Sequence, residues 1–212
     1  MSDEPAVQFL RGVVTRMRSQ SWERDHFDAS NLRAAREEAL KRYSMILSPE
    51  LVGEVDWGTL VGLLRDMKKH HTMGLGRGVP KTADPTRLRE ALAILVDERL
   101  PLKERLDRLR PVGGQVMVKG LGPSVITSIL HLIDPERYGI LNATSESVLR
   151  RLGVYPELPT SASLAVRYEA VNLVLLRLAA ALGIDLGLLD YLFWRVQPQA
   201  LSDFAATQAR GR

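Results

Sequence analysis

Residues 116–130 read VMVKGLGPSVITSIL, with two glycines around a single leucine at the threshold of an apolar helical stripe. Gly120 and Gly122 permit a hairpin whose backbone faces outward while Leu121 turns inward as an anchor. A helix opening at Pro123 leaves its first amides without intrahelical acceptors, and its dipole favours an anion there. Pro123 has no N–H, so the expected donors are the amides of Ser124 and Val125 with the Ser124 hydroxyl. Lys119 adds a positive charge beside them. Such a seat takes phosphate oxygens rather than base edges, which predicts weak sequence selectivity.

A second candidate is KKHHTMGLGRGVPK at residues 68–81. Three glycines let the backbone approach a polyanion, and Lys68, Lys69, Arg77 and Lys81, with His71, supply cations whose neutralisation by phosphates releases counterions. A solvated basic loop with no partner is the other reading of the same residues. The segment is not a nucleotide loop: the Walker spacing is absent, and Gly74-Leu75-Gly76 neither follows a strand nor opens a β-α-β unit. His70 and His71 are adjacent and diverge by about 100° on a helix, so they do not chelate one ion together. No metal box, nucleotide fingerprint or Ser-His-Asp order stands out, and neither a cofactor nor a catalytic residue is expected.

The apolar-x-Gly-apolar-Gly pattern of residues 118–122, followed by a helix, resembles the helix-hairpin-helix DNA-binding superfamily over about residues 118–130. A wider similarity runs from near His71 through PERYGILN at residues 135–142, Ser145, Glu146 and Leu149 to Leu189, Asp190, Phe193 and Trp194. It looks like a group of poorly characterised bacterial helical domains, some attached to restriction-type proteins. The resemblance implies binding of duplex DNA in a processing or defence setting without naming a reaction. Base-excision glycosylases of the superfamily carry a catalytic Asp beyond the hairpin, and bifunctional ones a Lys near the start of the hairpin helix; here those positions fall at Asn142 and Ser124. Asparagine carries no charge and cannot serve as base or anionic partner to an oxocarbenium-like sugar. Base excision would therefore need a displaced acid, and it stands as the alternative to simple binding. Asn142 reads instead as a cap for the helix opening at Ala143, through the amide of Thr144 or Ser145.

The chain's charge is distributed to suit an anionic partner. Residues 65–124 hold 13 Lys and Arg against 7 Asp and Glu, a local excess of +6, while the whole chain carries +4. Nucleic acid is the commonest such polymer in a cell, although part of the excess pairs internally, as in KERLDR at residues 103–108. With 212 residues, 45% hydrophobic and 25% charged, the composition excludes a disordered or collagen-like chain. Cysteine is absent, which removes disulfides, thiolate metal sites and cysteine nucleophiles and suits a reducing compartment. The apolar stretch at residues 173–184 is interrupted by Arg177 and Gly183, so no membrane span is expected, and the acidic start Asp3-Glu4 is unlike a secretory signal. A cytoplasmic protein is expected.

Three-and-four periodicity dominates and no alternating strand is sustained, which predicts an all-α fold in one domain, with a division near residues 110–115 as the alternative. Val7, Leu10, Val13, Val14 and Met17 form one stripe; Leu32, Ala35, Ala39, Leu40, Tyr43, Met45 and Ile46 form another. Further helices are predicted from Asp56, Pro85, Pro101 and Pro123, and over 143–152, 165–182 and 186–196. Asp134-Pro135 ends the helix that starts at Pro123, and residues after Pro198 are expected to fray. His131 reads as a satisfied core histidine, and Asp185 and Asp190 as capping carboxylates. Leu188, Leu189, Leu192, Phe193 and Trp194 read as core or as a surface for a partner helix. A protein-interaction module docking through residues 173–194 is thus the third functional reading.

Overall fold

The computed structural model describes residues 3–20, 37–38, 41, 43, 45–66, 84–110 and 117–210. Among them the regular structure is entirely helical: α1 (Glu4–Ser19), α2 (Trp57–Asp66), α3 (Pro85–Val96), α4 (Leu102–Leu109), α5 (Pro123–Ile133), α6 (Ala143–Arg151), α7 (Leu164–Leu182), α8 (Leu186–Arg195) and α9 (Pro198–Arg210). The basic segment with Lys68, Lys69, His71, Arg77 and Lys81 lies outside the described residues.

The helix ends follow local chemistry. Asp84 accepts from the amide of Thr86 at 2.8 Å, Ser163 from Val166 at 3.2 Å and Asp185 from Leu188 at 2.8 Å, each satisfying an amide the helix cannot. Gly183 closes α7 in the left-handed conformation at φ 65°, a geometry glycine adopts without a Cβ penalty. Lys103 pairs with Asp107 at 2.6 Å and Arg108 with Glu104, the i,i+4 pattern expected of an exposed face of α4.

The long helix α7 organises the core, packing against α4, α1 and α8; α3 bridges α4 and α5, and α6 lies between α8 and α9. One contiguous apolar cluster runs from Ala6 of α1 to Leu201 of α9. No single helix among the described residues is long and apolar enough to cross a membrane; α7 and α8 together meet the length only as a pair bent by 90°.

Two expectations are corrected here. Met45 does not face the core: the chain turns over residues 45–47, with the Leu47 amide on the Tyr43 carbonyl at 2.8 Å, leaving Met45 exposed while Leu47 and Val52 pack inward. The segment after Pro198 does not fray over residues 198–210. Leu201 is buried, Phe204 meets Phe9 at 4.8 Å between ring centroids, and Arg151 reaches the Pro198 carbonyl at 3.3 Å and the Ser202 hydroxyl at 3.1 Å. Two apolar anchors in a polar sequence suffice once a docking surface exists.

The irregular segment at residues 137–141 positions the start of α6; the Asp134 carbonyl takes the Arg137 and Tyr138 amides, and side chains satisfy much of the rest of its backbone. Asn172 of α7 accepts from the Gly139 amide at 2.7 Å and donates to the Arg137 carbonyl at 2.9 Å. Tyr168 donates to the Gly139 carbonyl at 2.9 Å, and Thr127 accepts from the Leu141 amide at 3.0 Å. His131 Nδ1 lies 2.7 Å from the Tyr138 carbonyl, which can only accept, so that nitrogen carries a proton. Arg105, buried in the core, donates to the Leu95 carbonyl at 2.8 Å and the Tyr138 hydroxyl at 3.2 Å. A Cβ at Gly139 would sit 2.6 Å from Leu175 Cδ1, so glycine is what lets this segment press against α7.

Candidate nucleic-acid interface

The glycine pair forms a tight turn at the start of α5. Leu121 is 2% exposed and its amide closes a turn on the Val118 carbonyl at 3.2 Å, while the Gly122 amide reaches the Gly120 carbonyl at 2.9 Å. Gly120 adopts φ 88°, where a side chain is strained. Gly122 is different. Its φ of −81° suits any residue, and a Cβ there would meet nothing within 4 Å. Folding does not demand glycine at this position.

Gly122 is the N-cap of α5 and offers no side chain to its amides. The first helical bond runs from the Ile126 amide to the Gly122 carbonyl at 3.0 Å, and among the described residues no acceptor takes the amides of Ser124 and Val125 or the Ser124 hydroxyl proton. Lys119 is exposed and, among the described residues, unpaired. The turn thus presents two uncapped amides, a hydroxyl and an ammonium on a surface whose glycine leaves room for close approach. Donors and positive charge at a helix start suit one oxyanion.

Arg110 also belongs to this group, although its sequence context marks it only as the end of an amphipathic helix. Its Nη1 lies 3.4 Å from the Leu121 carbonyl, which brings a guanidinium behind the turn. The Met117 amide returns to the Leu109 carbonyl at 3.1 Å, tying the turn to the end of α4. That helix stops at Leu109 and does not run directly into the turn. Arg110 is brought to Leu121 by this chain return, which spacing along the sequence does not reveal.

Asn142 caps α6: its Oδ1 accepts from the Ser145 amide at 2.8 Å, while the Ser145 hydroxyl accepts from the Asn142 amide at 2.9 Å. The Asn142 Nδ2 donates to Asp190 Oδ1 at 3.0 Å. Asp190 is therefore not a capping carboxylate. It lies inside α8 at 8% exposure, and burial raises its pKa to about 6 against the opposing hydrogen bonds from Asn142 and Trp194. Because the folded state holds this proton more tightly, stability falls as pH rises from about 4 through 6, by at most about 3 kcal/mol. Asp190→Asn keeps an acceptor and removes the charge. Urea denaturation at pH 4.5 and 7.5 should show a smaller difference in Asp190→Asn than in the wild type, with the variant gaining stability at the higher pH. An unchanged difference would mean that Asp190 stays ionised throughout.

Among the described residues no group of His, Asp and Glu is arranged to hold a metal ion. No family model, curated protein or solved structure matches this chain.

Proposed function

We propose that the turn at residues 119–125 seats a backbone phosphate of nucleic acid, duplex DNA in the first instance, and that the chain is a weakly sequence-selective DNA-binding protein. The observation that carries this reading is Gly122: its backbone accepts any residue and its Cβ position is open, so its lack of a side chain serves whatever approaches the uncapped amides of Ser124 and Val125. Lys119 and Arg110 supply charge at the same place, and the basic residues Lys68, Lys69, His71, Arg77 and Lys81 extend the grip in this reading. Phosphate contacts of this kind hold the strand without reading its bases.

The test is a fluorescent-duplex titration at low and moderate salt. Binding should weaken steeply with salt and vary little with sequence. Gly122→Ala should retain stability to within about 1 kcal/mol, the N-cap difference between glycine and alanine. Its duplex affinity should nevertheless fall about tenfold, the equivalent of one lost charge-assisted contact. Wild-type binding that ignores salt, or a Gly122→Ala variant that binds as the wild type does, would remove the turn from the interface.

One observation favours base excision as a second reading. The Asp190 carboxyl lies 3.0 Å from Asn142, which stands where the resemblance puts an acid, and its pKa of about 6 suits proton donation near neutrality. Incubation with lesion-bearing duplexes decides it: abasic product that disappears in Asp190→Asn would establish the chemistry, and its absence from the wild type leaves binding alone.

A further inference from the structure

A cleft of about 1210 Å3 lies between residues 153–162 and one face of α7, away from the residues of the glycine turn. Along that face Arg167, Ala170, Leu173, Val174 and Arg177 follow one another at helical spacing, so two arginines bracket an aliphatic strip. Leu173 is 59% exposed in the middle of the strip, while the opposite side of the same helix is core.

The cations at one end are held ready. Arg150, exposed at the end of α6, lies with its guanidinium carbon 3.7 Å from the centroid of the Tyr155 ring, and among the described residues no carboxylate pairs with it. Stacking fixes the guanidinium without consuming its hydrogen-bond donors. The Tyr155 hydroxyl donates to Glu146 at 3.1 Å, and Arg167 Nη1 lies 3.8 Å from the same carboxylate. The Arg167 Nε is buried without an acceptor. Burial and the neighbouring Glu146 raise the Tyr155 pKa, so the ring stays neutral beneath its cation. At the other end Arg177 holds Asp3 at 2.9 Å across an exposed pair, and Asp3 and Glu157 are the two carboxylates in a lining that holds three arginines.

The pattern selects its occupant. A free inorganic anion would engage the arginines but leave Leu173 in water, and a phosphodiester strand would lay its charged spine across the aliphatic strip. A peptide offers carboxylates and aliphatic side chains in alternation. Arg167 and Arg177 are ten positions apart on a helix, about 15 Å, which four or five extended residues span at about 3.3 Å each.

We propose that this cleft docks a short acidic segment of a partner protein, aliphatic side chains on Leu173 and carboxylates on Arg150 at one end and, in exchange for Asp3, on Arg177 at the other. The proposal is independent of the nucleic-acid reading. The test begins with selection of a displayed random 12-residue peptide library on the full chain, followed by fluorescence anisotropy with a labelled peptide carrying the selected consensus. Selected sequences should combine aliphatic residues with flanking Asp or Glu. Leu173→Asp and Arg150→Glu, both surface changes, should each weaken the labelled peptide at least about tenfold, the scale of one lost interface anchor. Circular dichroism and duplex affinity should stay as in the wild type. The proposal is overturned if no peptide is enriched, if enriched peptides lack carboxylates, or if both variants bind the peptide as before. Displacement of the peptide by millimolar phosphate, or by a duplex, would also overturn it, because the cleft would then be an anion site or part of the nucleic-acid surface.

Discussion

Asn172→Ala should lower the unfolding free energy by about 2–3 kcal/mol, because truncation leaves one buried and one partly buried backbone group without partners, at a cost of about 1–3 kcal/mol for a fully buried one. The groups are the Gly139 amide and the Arg137 carbonyl, at 2.7 and 2.9 Å from the Asn172 amide group. No sheet or helix stands by to replace these bonds, since residues 137–141 belong to no regular element and the Tyr138 carbonyl, Gly139 carbonyl and Leu141 amide already engage His131, Tyr168 and Thr127. Asn172→Asp tests the donor separately: it can still accept from Gly139 but cannot donate to Arg137 when ionised, and it buries a charge. Both variants should lose stability in urea denaturation, and Asn172→Asp should recover part of the loss as pH falls and its carboxyl protonates. A loss below about 0.5 kcal/mol for Asn172→Ala, the size of an ordinary surface change, would show that water replaces the side chain.

The second large effect concerns the polyanion. Lys119→Ala combined with Arg77→Ala should reduce duplex affinity by about 10- to 100-fold at low salt, and should flatten the plot of log affinity against log salt by about two units of slope. The slope is the more telling readout, because each phosphate contact contributes close to one unit whatever the sequence bound. Lys119 is exposed, unpaired among the described residues and next to the turn, so its loss leaves the core untouched. A double variant with wild-type affinity and slope would exclude both the turn and the basic segment from binding. A slope reduced by only one unit would assign contact to one of them, and the two single variants would then say which.

These two effects differ in how far the sequence announces them. Lys119, Gly120 and Gly122 are recognisable from type and spacing alone, because a glycine pair before a proline-started helix constrains the backbone within a few residues. The same is true of the caps at Asn142 and Asp185, and of the i,i+4 charge pairs of α4, whose partners are all local. The clamp made by Asn172 is not recognisable this way: an asparagine inside an apolar helix names no partner, and its acceptor and donor lie more than thirty positions away.

Local periodicity and punctuation were therefore enough to specify an all-α chain, most of its helix starts and the glycine turn, since each depends on interactions across a few residues. Tertiary structure alone decided the rest: that Arg110 stands behind Leu121, that Asp190 meets Asn142 in the interior, that Met45 faces outward, and that the polar residues after Pro198 form a docked helix. Each of these depends on which distant surface is available for burial or hydrogen bonding, and a linear pattern carries no record of the element packed against it.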